Sequence, residues 1–485
     1  MMTKAELLNL LSHLPTELSS ELSEKPRALH APISHLKALD LGCPLVTGIR
    51  GAGKTFWVRA LTELKGQLLS LSKQSSQISS TECIIGFSEL PVSLQENNLT
   101  WPSSEILSDL VEKEYHPSDI WLTIVTRLII PESFTQQQDW QSSLIFYKSN
   151  RESIEKKLRA YNAEMAKNEQ HKLVLFDALE RTGRNRETVD RLLSGLLAVL
   201  ITFRTKYSNI HLKAFVRPDR LTTQVVSIPD WSKLDQLKVP LTWPPRDLFL
   251  MAWAYLANTQ IEEADAFREN TSSTPLLLNW EQYNNLYVNT KKPSDDNLRQ
   301  YFHSTFTGPW MGTDGRRGTP YTWLPNHLAD SLGQVSPRSF LTAIREASVD
   351  SEERYPKYKY PLHYESIKRG VQKASQIRVT ELDEDFPWVR SALMPLQGCI
   401  NVPVQLADIL RLWKRDKIAD TIILSVKRQF QLPAADLDNS DYQELARELQ
   451  SMGIFRQLPD RRIDIPDVYR VAFGIGRKGG VRPLI

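Results

Sequence analysis

Short apolar runs alternate with helix-spaced apolar positions along the first half of the chain. An apolar run at 44–47 precedes a glycine-rich loop, and the residues after that loop have the apolar spacing of a helix. Further apolar runs at 173–176 and 210–216 flank residues 186–205, where apolar side chains again recur at helical spacing. Strands that alternate with helices are typical of a parallel sheet covered by helices. We therefore predict an α/β fold with a parallel sheet.

The loop after the first run has the spacing of a phosphate-binding loop. Residues 48–55 read GIRGAGKT and match the P-loop pattern G-x-x-x-x-G-K-[ST]. Glycines let backbone N–H groups turn toward phosphate oxygens, and the following helix adds its positive N-terminus. Lys54 would reach the β- and γ-phosphates, and the Thr55 hydroxyl would ligate Mg²⁺. The predicted nucleotide contacts are Gly48, Arg50, Gly51, Ala52, Gly53, Lys54, Thr55 and Phe56.

A P-loop also requires a second strand that ends in an acid. The apolar run HKLVLF ends at Asp177, the candidate Walker B carboxylate, which would bind Mg²⁺ together with Thr55. Glu180 follows three residues later and could orient the attacking water as a catalytic base. The alternative is that Glu180 is an exposed acid paired with Arg181 or Arg184.

Four motifs in this order resemble a bacterial P-loop ATPase of the AAA+/STAND superfamily. The resemblance covers about residues 40–350, and the spacing of Asp177 and Glu180 resembles the STAND form of the Walker B motif. It implies ATP and Mg²⁺ as cofactors, a homo-oligomer, and a separately encoded effector of the kind found in anti-phage defence loci. The motifs are GIRGAGKT at 48–55, LVLFDALER at 173–181, FVRPD at 215–219 and SPRSF at 336–340.

Two arginines occupy positions where the resemblance implies sensors of the γ-phosphate. Arg217 follows the 210–216 run as sensor 1, and Arg338 begins a helix as sensor 2 of a lid that closes over the nucleotide. Simpler interpretations remain open, with Arg217 as a surface arginine paired with Asp219 and Arg338 as an ordinary helix start. With Lys54 and Glu180, both arginines are predicted catalytic residues.

The patterns divide the chain into five segments. About 120 residues separate Thr55 from Asp177, which is long for one α/β unit, so a helical insertion is predicted at about 90–168. Helices followed by a hairpin pattern predict a winged-helix-like α+β domain at the C-terminus. The segments are an N-terminal helical segment at 1–40, a P-loop ATPase core at 41–240, a helical lid at 241–350, a linker at 351–400 and a winged-helix-like domain with a basic tail at 401–485.

Two basic segments lie outside the predicted nucleotide site. Arg316 and Arg317 could complete a neighbouring subunit's site as arginine fingers, although solvated loop arginines are the simpler interpretation. The tail could contact phosphates or the acidic face of a partner, and neighbouring acids favour the protein partner over nucleic acid through 401–485. The tail cations are Arg470, Arg477, Lys478 and Arg482, among Gly474, Gly476, Gly479 and Gly480.

Composition narrows the function classes. The chain has 60 Lys+Arg and 57 Asp+Glu, a net charge of +3, so its bulk charge does not demand nucleic acid. No apolar run approaches the ~20 residues of a membrane span, and the N-terminus lacks a signal-peptide pattern. Three scattered cysteines suit a reducing compartment. We expect a soluble cytoplasmic protein without a membrane partner.

Three functional hypotheses follow. The first is an ATP-hydrolysing switch, slow or stimulated by a partner, that assembles with itself or with a separate effector. A separate effector is expected because no nuclease, deaminase or protease pattern is recognisable in the chain. The alternative is a DNA-binding origin-recognition or loader-like AAA+ ATPase that uses the winged helix. A third is a nucleotide-binding scaffold that hydrolyses little, because no second acid directly follows Asp177.

Overall fold

The computed structural model describes residues 2–15, 27–65, 68, 76–88, 101–425, 433, 437, 442–478 and 481–483. Two of the predicted tail glycines, Gly479 and Gly480, and positions 90–100 of the predicted insertion lie outside these residues. The described residues form two compact units. We call Ile33–Thr242 the P-loop unit, and the described part of Met1–Glu21, Arg27–Pro32 and Trp243–Ile485 the helical unit.

Helices and strands follow one another along both units. The strands are β1 Leu45–Thr47, β2 Thr81–Phe87, β3 His171–Phe176, β4 Ile210–Val216, β5 Val239–Pro240, β6 Trp280–Tyr283, β7 Leu286–Asn289, β8 Asn401–Val402, β9 Val404–Gln405, β10 Arg456–Gln457, β11 Arg462–Asp464 and β12 Gly476–Arg477. The helices of the first half are α1 Lys4–Ser12, α2 Ile33–Leu36, α3 Lys54–Glu63, α4 Ser76–Ser79, α5 Ser104–Glu112, α6 Pro117–Ile129, α7 Trp140–Ser149, α8 Arg151–Lys167, α9 Arg186–Lys206 and α10 Trp231–Gln236. Those of the second half are α11 Pro245–Ala257, α12 Glu263–Thr271, α13 Asp295–Phe302, α14 Pro320–Leu328, α15 Pro337–Arg354, α16 Tyr364–Asp385, α17 Pro387–Leu393, α18 Leu406–Arg415, α19 Ile418–Ser425, α20 Gln443–Ser451 and α21 Asp467–Arg470.

A five-stranded parallel sheet forms the centre of the P-loop unit. Its order is β2-β3-β4-β1-β5, so β4 lies between the strand before the P-loop and the strand before Asp177. Strands β1, β3 and β4 are almost wholly buried, which explains why their sequences are nearly continuous apolar runs. The edge strand β2, which is half-exposed, was not predicted. The predicted α/β fold with a P-loop core is confirmed.

The predicted insertion is helical in its described part. Helices α5 to α8 lie between β2 and β3 in the chain, and α6 packs on α9. A Cβ at Gly195 of α9 would lie 2.6 Å from the Cβ of Pro117, so only glycine permits this approach. The fully buried Trp121 donates its indole N–H to the carbonyl of Leu192 at 2.8 Å. The insertion therefore shares one core with the sheet.

Residues 351–400 are not a linker in the structure. Helix α15 extends to Arg354, and α16 packs along it, burying Ile367, Val371 and Ala374 at helical spacing. A Cβ at Gly370 would overlap the carbonyl group of Ala343, so glycine allows the two helices to approach closely. The apolar stripe of α16 is narrow and its other face is charged, which made the sequence look like exposed linker.

The N-terminal helix is part of the helical unit rather than a separate segment. Helix α1 begins with a capping box in which Thr3 and Glu6 bond each other's backbone N–H groups. Its buried leucines, Leu7, Leu10 and Leu11, belong to the apolar core that also contains the inner faces of α11, α15 and α16. The helical segment predicted at 241–350 contributes most of this core and carries the hairpin of β6 and β7.

The C-terminal part has the predicted winged-helix-like arrangement. Helices α18, α19 and α20 precede an antiparallel hairpin of β10 and β11, and β11 also pairs with β9. The fully buried Trp413 donates its indole N–H to the carbonyl of Ala392 at 2.7 Å and stacks on Phe455. Trp388 and Leu393 of α17 join the same core, so this domain begins before residue 401. In the described part of the chain, no helix has the length and apolarity that crossing a membrane requires.

Candidate nucleotide-binding site

Three strand ends place the predicted site residues at one edge of the sheet. The P-loop begins at Gly48 after β1, Asp177 follows β3, and Arg217 follows β4. Because these strands are parallel and adjacent in the order β3-β4-β1, their carboxyl ends meet at the same edge. Open α/β sheets bind ligands at this edge.

The loop conformation depends on its glycines. Gly51 and Gly53 have φ angles of 78° and 96°, in the left-handed region that side chains disfavour. Gly53 is the N-cap of α3, so the first-turn N–H groups of this helix have no partner within the helix. A Cβ at Gly48 would lie 3.0 Å from the Cβ of Ala52, so a side chain there would require a neighbouring group to move by a few tenths of an ångström. The loop and helix end together suit an anionic phosphate.

Lys54 points back into the loop. Its ammonium group is buried and donates hydrogen bonds to the carbonyls of Gly48 at 3.0 Å and Ile49 at 3.2 Å. Burial lowers the pKa of Lys54, the negative charge of Glu180 partly offsets this, and the positive charge of Arg217 adds to it. A buried cation bonded to neutral carbonyls favours an anion beside it. The site therefore fits a phosphate group.

Thr55 and Asp177 meet directly although they are far apart in sequence. The Thr55 hydroxyl donates to a carboxylate oxygen of Asp177 at 2.6 Å. Burial raises the pKa of Asp177, and the Thr55 hydrogen bond and the charge of Lys54 only partly offset this. Mg²⁺ prefers oxygen ligands and usually takes one or two from the protein, with phosphates and water supplying the rest. The Thr55 hydroxyl and the Asp177 carboxylate offer two such oxygens side by side, which fits this pattern of Mg²⁺ binding.

Glu180 lies beside this pair on a strained turn. Ala178 has a φ of 52°, an unusual conformation for a residue other than glycine, and it turns the chain into the short helical segment that carries Glu180. The half-buried Glu180 carboxylate acts on the pKa of both Lys54 and Asp177. The alternative partner Arg184 pairs instead with two carboxylates of α5, at 2.8 and 3.4 Å. The charge of Glu180 therefore acts on both Lys54 and Asp177, while its alternative partner Arg181 also has an interaction of its own.

Arg217 is buried rather than a surface residue. Its side chain is 7% exposed, and its Nε donates to Asp219 at 3.1 Å. Burial alone would raise the pKa of Asp219, but Arg217 and Arg220 outweigh burial and lower it. Arg217 thus pairs with Asp219, as one interpretation predicted, and also lies close enough to Lys54 to lower its pKa. Arg220, which also lowers the pKa of Asp219, was not predicted from the sequence. The one sequence feature that could have indicated it is its position at the end of the RPDR run at 217–220.

Arg338 belongs to the helical unit, whereas the residues described above belong to the P-loop unit. It lies in the first turn of α15 in the helical unit, where it forms an ion pair with Glu381 of α16. Arg378 contacts the same carboxylate at 3.4 Å. The charge of Arg338 is therefore partnered within its own unit. The sensor function of Arg338 stays a prediction.

Comparison with known proteins adds only remote likenesses. No family model matches the chain, and no curated protein is similar enough to count as a relative. The ORC2 protein of Aeropyrum pernix in ADPNP–ADP complexes shares 12% identity at a TM-score of 0.37, over 92% of this chain and 93% of that chain. Cdc6p from Pyrobaculum aerophilum shares 11% identity at a TM-score of 0.27, over 96% and 90% respectively. At these values the likeness carries no argument about ligand, reaction or partner.

Proposed function

We propose that the protein is a Mg–ATP-binding switch with ATPase activity. The observation that carries this proposal is the direct hydrogen bond between Thr55 and Asp177 beside the buried ammonium of Lys54. These three groups would bind the metal and the β- and γ-phosphates of ATP. No base-reading pattern of the G-protein type follows β4, which favours adenine over guanine.

The residues around Lys54, Thr55 and Asp177 would each have a different role in ATP hydrolysis. When bound, Mg²⁺ would neutralise charge on the phosphate oxygens. Glu180 would accept a proton from the attacking water, since it is half-buried and close enough to influence Asp177. Arg217 would donate hydrogen bonds to the terminal phosphate and so exchange part of its contact with Asp219. Loss of the terminal phosphate would restore that contact and reset the switch.

Two outputs of the switch were predicted, and they have unequal support. The effector-coupled output in a defence locus depends only on the motif resemblance. The origin-recognition or loader-like output gains support from the helices α18 to α20 and the β10–β11 hairpin, a combination that DNA-binding winged helices share. We therefore favour a nucleotide-controlled protein whose C-terminal domain contacts DNA or protein, and we expect self-assembly in the ATP state.

The ATPase proposal can be tested with three single variants. Lys54→Ala should weaken ATP binding by about 10- to 100-fold, because a charge-assisted hydrogen bond to phosphate is lost. Glu180→Gln should keep binding and lower turnover by about 10²- to 10⁴-fold. Lys37→Ala is the matched control, since it removes an exposed lysine from the same unit. Equal turnover of Glu180→Gln and wild type would support the low-activity scaffold or a different base.

The assembly part requires a separate measurement. We would determine the solution mass without nucleotide, with ADP–Mg²⁺ and with a slowly hydrolysed ATP analogue, for wild type, Lys54→Ala and Arg217→Ala. A defined oligomer only with the analogue, absent in both variants, is expected. An unchanged monomer throughout would refute self-assembly as the output. Salt-dependent binding of duplex DNA that needs the analogue would then identify the loader-like function.

A further inference from the structure

A basic cavity lies within the helical unit, between the loop at 308–319, helices α14 and α16, and the C-terminal segment. Its volume is about 970 Å³. Seven Arg and Lys side chains and two carboxylates line it, an excess of five positive charges. The whole chain has an excess of only three, so the remainder is slightly acidic. Three of these cations, Arg316, Arg369 and Arg477, also pair with carboxylates outside the lining. The lining cations without an ion pair among the described residues are therefore Arg317, Lys478 and Arg482.

One side of the basic cavity comes from the loop and α16. The adjacent Arg316 and Arg317 are exposed, and Arg316 lies 3.4 Å from a loop carboxylate. Lys368 pairs with Glu365 at 2.6 Å, and Arg369 pairs with a carboxylate of α15 at 2.9 Å. Within the part of the chain that the structure describes, no carboxylate pairs with Arg317. Both loop arginines therefore line the basic cavity of their own chain.

The other side comes from the basic tail. Arg470 is fully buried and pairs with Asp467, so it fixes the tail rather than lining the cavity. Arg477 pairs with Asp464 and lies 3.5 Å from Asp467, and only its Nε is buried without a hydrogen-bond partner among the described residues. Lys478 and Arg482 are exposed and have no ion pair in the described ranges. The tail thus offers unused donors to the cavity.

An aromatic wall adds a non-charged surface. The half-buried Trp323 of α14 lies against His327, with ring centroids 3.8 Å apart. Burial lowers the pKa of His327 to about 4, so its ring is neutral at physiological pH. Both rings line the cavity. An aromatic face next to cationic donors suits a ligand that has a planar group as well as negative charge.

We propose that the basic cavity binds a compact ligand that carries two or more phosphate groups. Its volume lies at the upper end of the range for small-molecule sites, about 300–1,000 Å³. Arginine and lysine together recognise phosphate through bidentate and point-charge contacts. The ligand could be a nucleotide, whose base would stack on Trp323, or an inorganic oligophosphate, which has no group that stacks on an aromatic ring. This inference does not depend on the P-loop site.

The charge pattern favours a compact ligand over a nucleic-acid strand. The cations converge on a concavity formed by four separate segments. On the β10–β11 hairpin, two of the three arginines are neutralised by neighbouring carboxylates, and Arg461 in the turn is exposed without an ion pair among the described residues. Arg456 pairs with Asp464, and Arg462 pairs with Asp460 at 2.7 Å. Duplex binding instead requires cations distributed along the phosphate backbone.

The test uses full-length Lys54→Ala protein, in which phosphate binding at the P-loop is weakened. Isothermal titration with inorganic tripolyphosphate should show one saturable site. Arg317→Ala combined with Arg482→Ala should weaken binding about tenfold, because two charge contacts are lost. Arg411→Ala combined with Lys414→Ala is the matched control, since it removes two exposed cations of the same unit outside the cavity. The control should bind as the parent does.

Further probes identify the ligand class and allow refutation. ATP that binds more tightly than tripolyphosphate, with the advantage lost in Trp323→Leu, would indicate a nucleotide, whereas equal affinities would indicate an oligophosphate. Thermal melting checks that each variant is folded. Absence of saturable binding, or equal weakening in cavity and control variants, would overturn the proposal. Duplex DNA that binds through Arg317 and Arg482 while tripolyphosphate does not would overturn it in favour of a nucleic-acid interface.

Discussion

Replacing Asp177 by asparagine should make the nucleotide-free protein more stable and remove its response to Mg–ATP. Asp177 is 2% exposed, and its burial raises its pKa despite the 2.6 Å hydrogen bond from Thr55. A carboxyl group with a raised folded-state pKa lowers stability as pH rises above its ordinary value of 3.8. Asparagine retains an acceptor for Thr55 without the buried charge.

The size of the effect follows from this burial. Removing this buried, only partly compensated charge should stabilise the nucleotide-free protein by about 1–2 kcal/mol at pH 8. For a unit of about 210 residues, this shifts the melting temperature by about 2–8 °C. Mg–ATP at 100 times its Kd should stabilise wild type by about 2.7 kcal/mol and leave Asp177→Asn unchanged. The order of stability should therefore reverse when Mg–ATP is added.

Differential scanning calorimetry with and without Mg–ATP measures both effects. Asp190→Asn is the matched control, because Asp190 of α9 is also buried and its pKa is also raised by burial. This control should retain the full response to Mg–ATP. Below pH 3.8 the difference between Asp177→Asn and wild type should disappear, since the carboxyl is then protonated in both states. Equal stabilisation of both proteins by Mg–ATP, or a less stable nucleotide-free variant, would refute the reasoning.

Three further predictions concern stability, each measured by urea unfolding. Burial lowers the pKa of Lys213 to about 8 from 10.5, so wild type should gain about 3 kcal/mol relative to Lys213→Met between these pH values, and a constant difference would contradict this. Trp121→Ala should cost about 3–5 kcal/mol because it empties a fully buried site. Gly370→Ala should cost at least about 1 kcal/mol because its methyl group overlaps the carbonyl of Ala343. Gly312→Ala, which meets only the flexible end of a side chain, should be close to neutral.

Local spacing was sufficient wherever a few adjacent residues determine the chemistry. The GIRGAGKT loop could be predicted from its own residues, because its glycines and Lys54 act through the backbone conformation of one short segment. The buried strands were predicted because both of their faces are covered, which requires continuous apolar runs. Helix α16 was missed because its narrow apolar stripe is matched only by the facing surface of α15. The edge strand β2 was missed because it is only half-buried.

The sequence by itself determined the P-loop, the acid that follows the second buried strand, and the α/β class, since each depends on local periodicity. Only the tertiary structure decided which distant groups meet. It brought Thr55 to Asp177 across 122 positions, paired Arg338 with Glu381, and gathered the loop arginines and the basic tail around one cavity. Such contacts depend on helix packing and strand order, and no local pattern specifies which charged side chains will face each other.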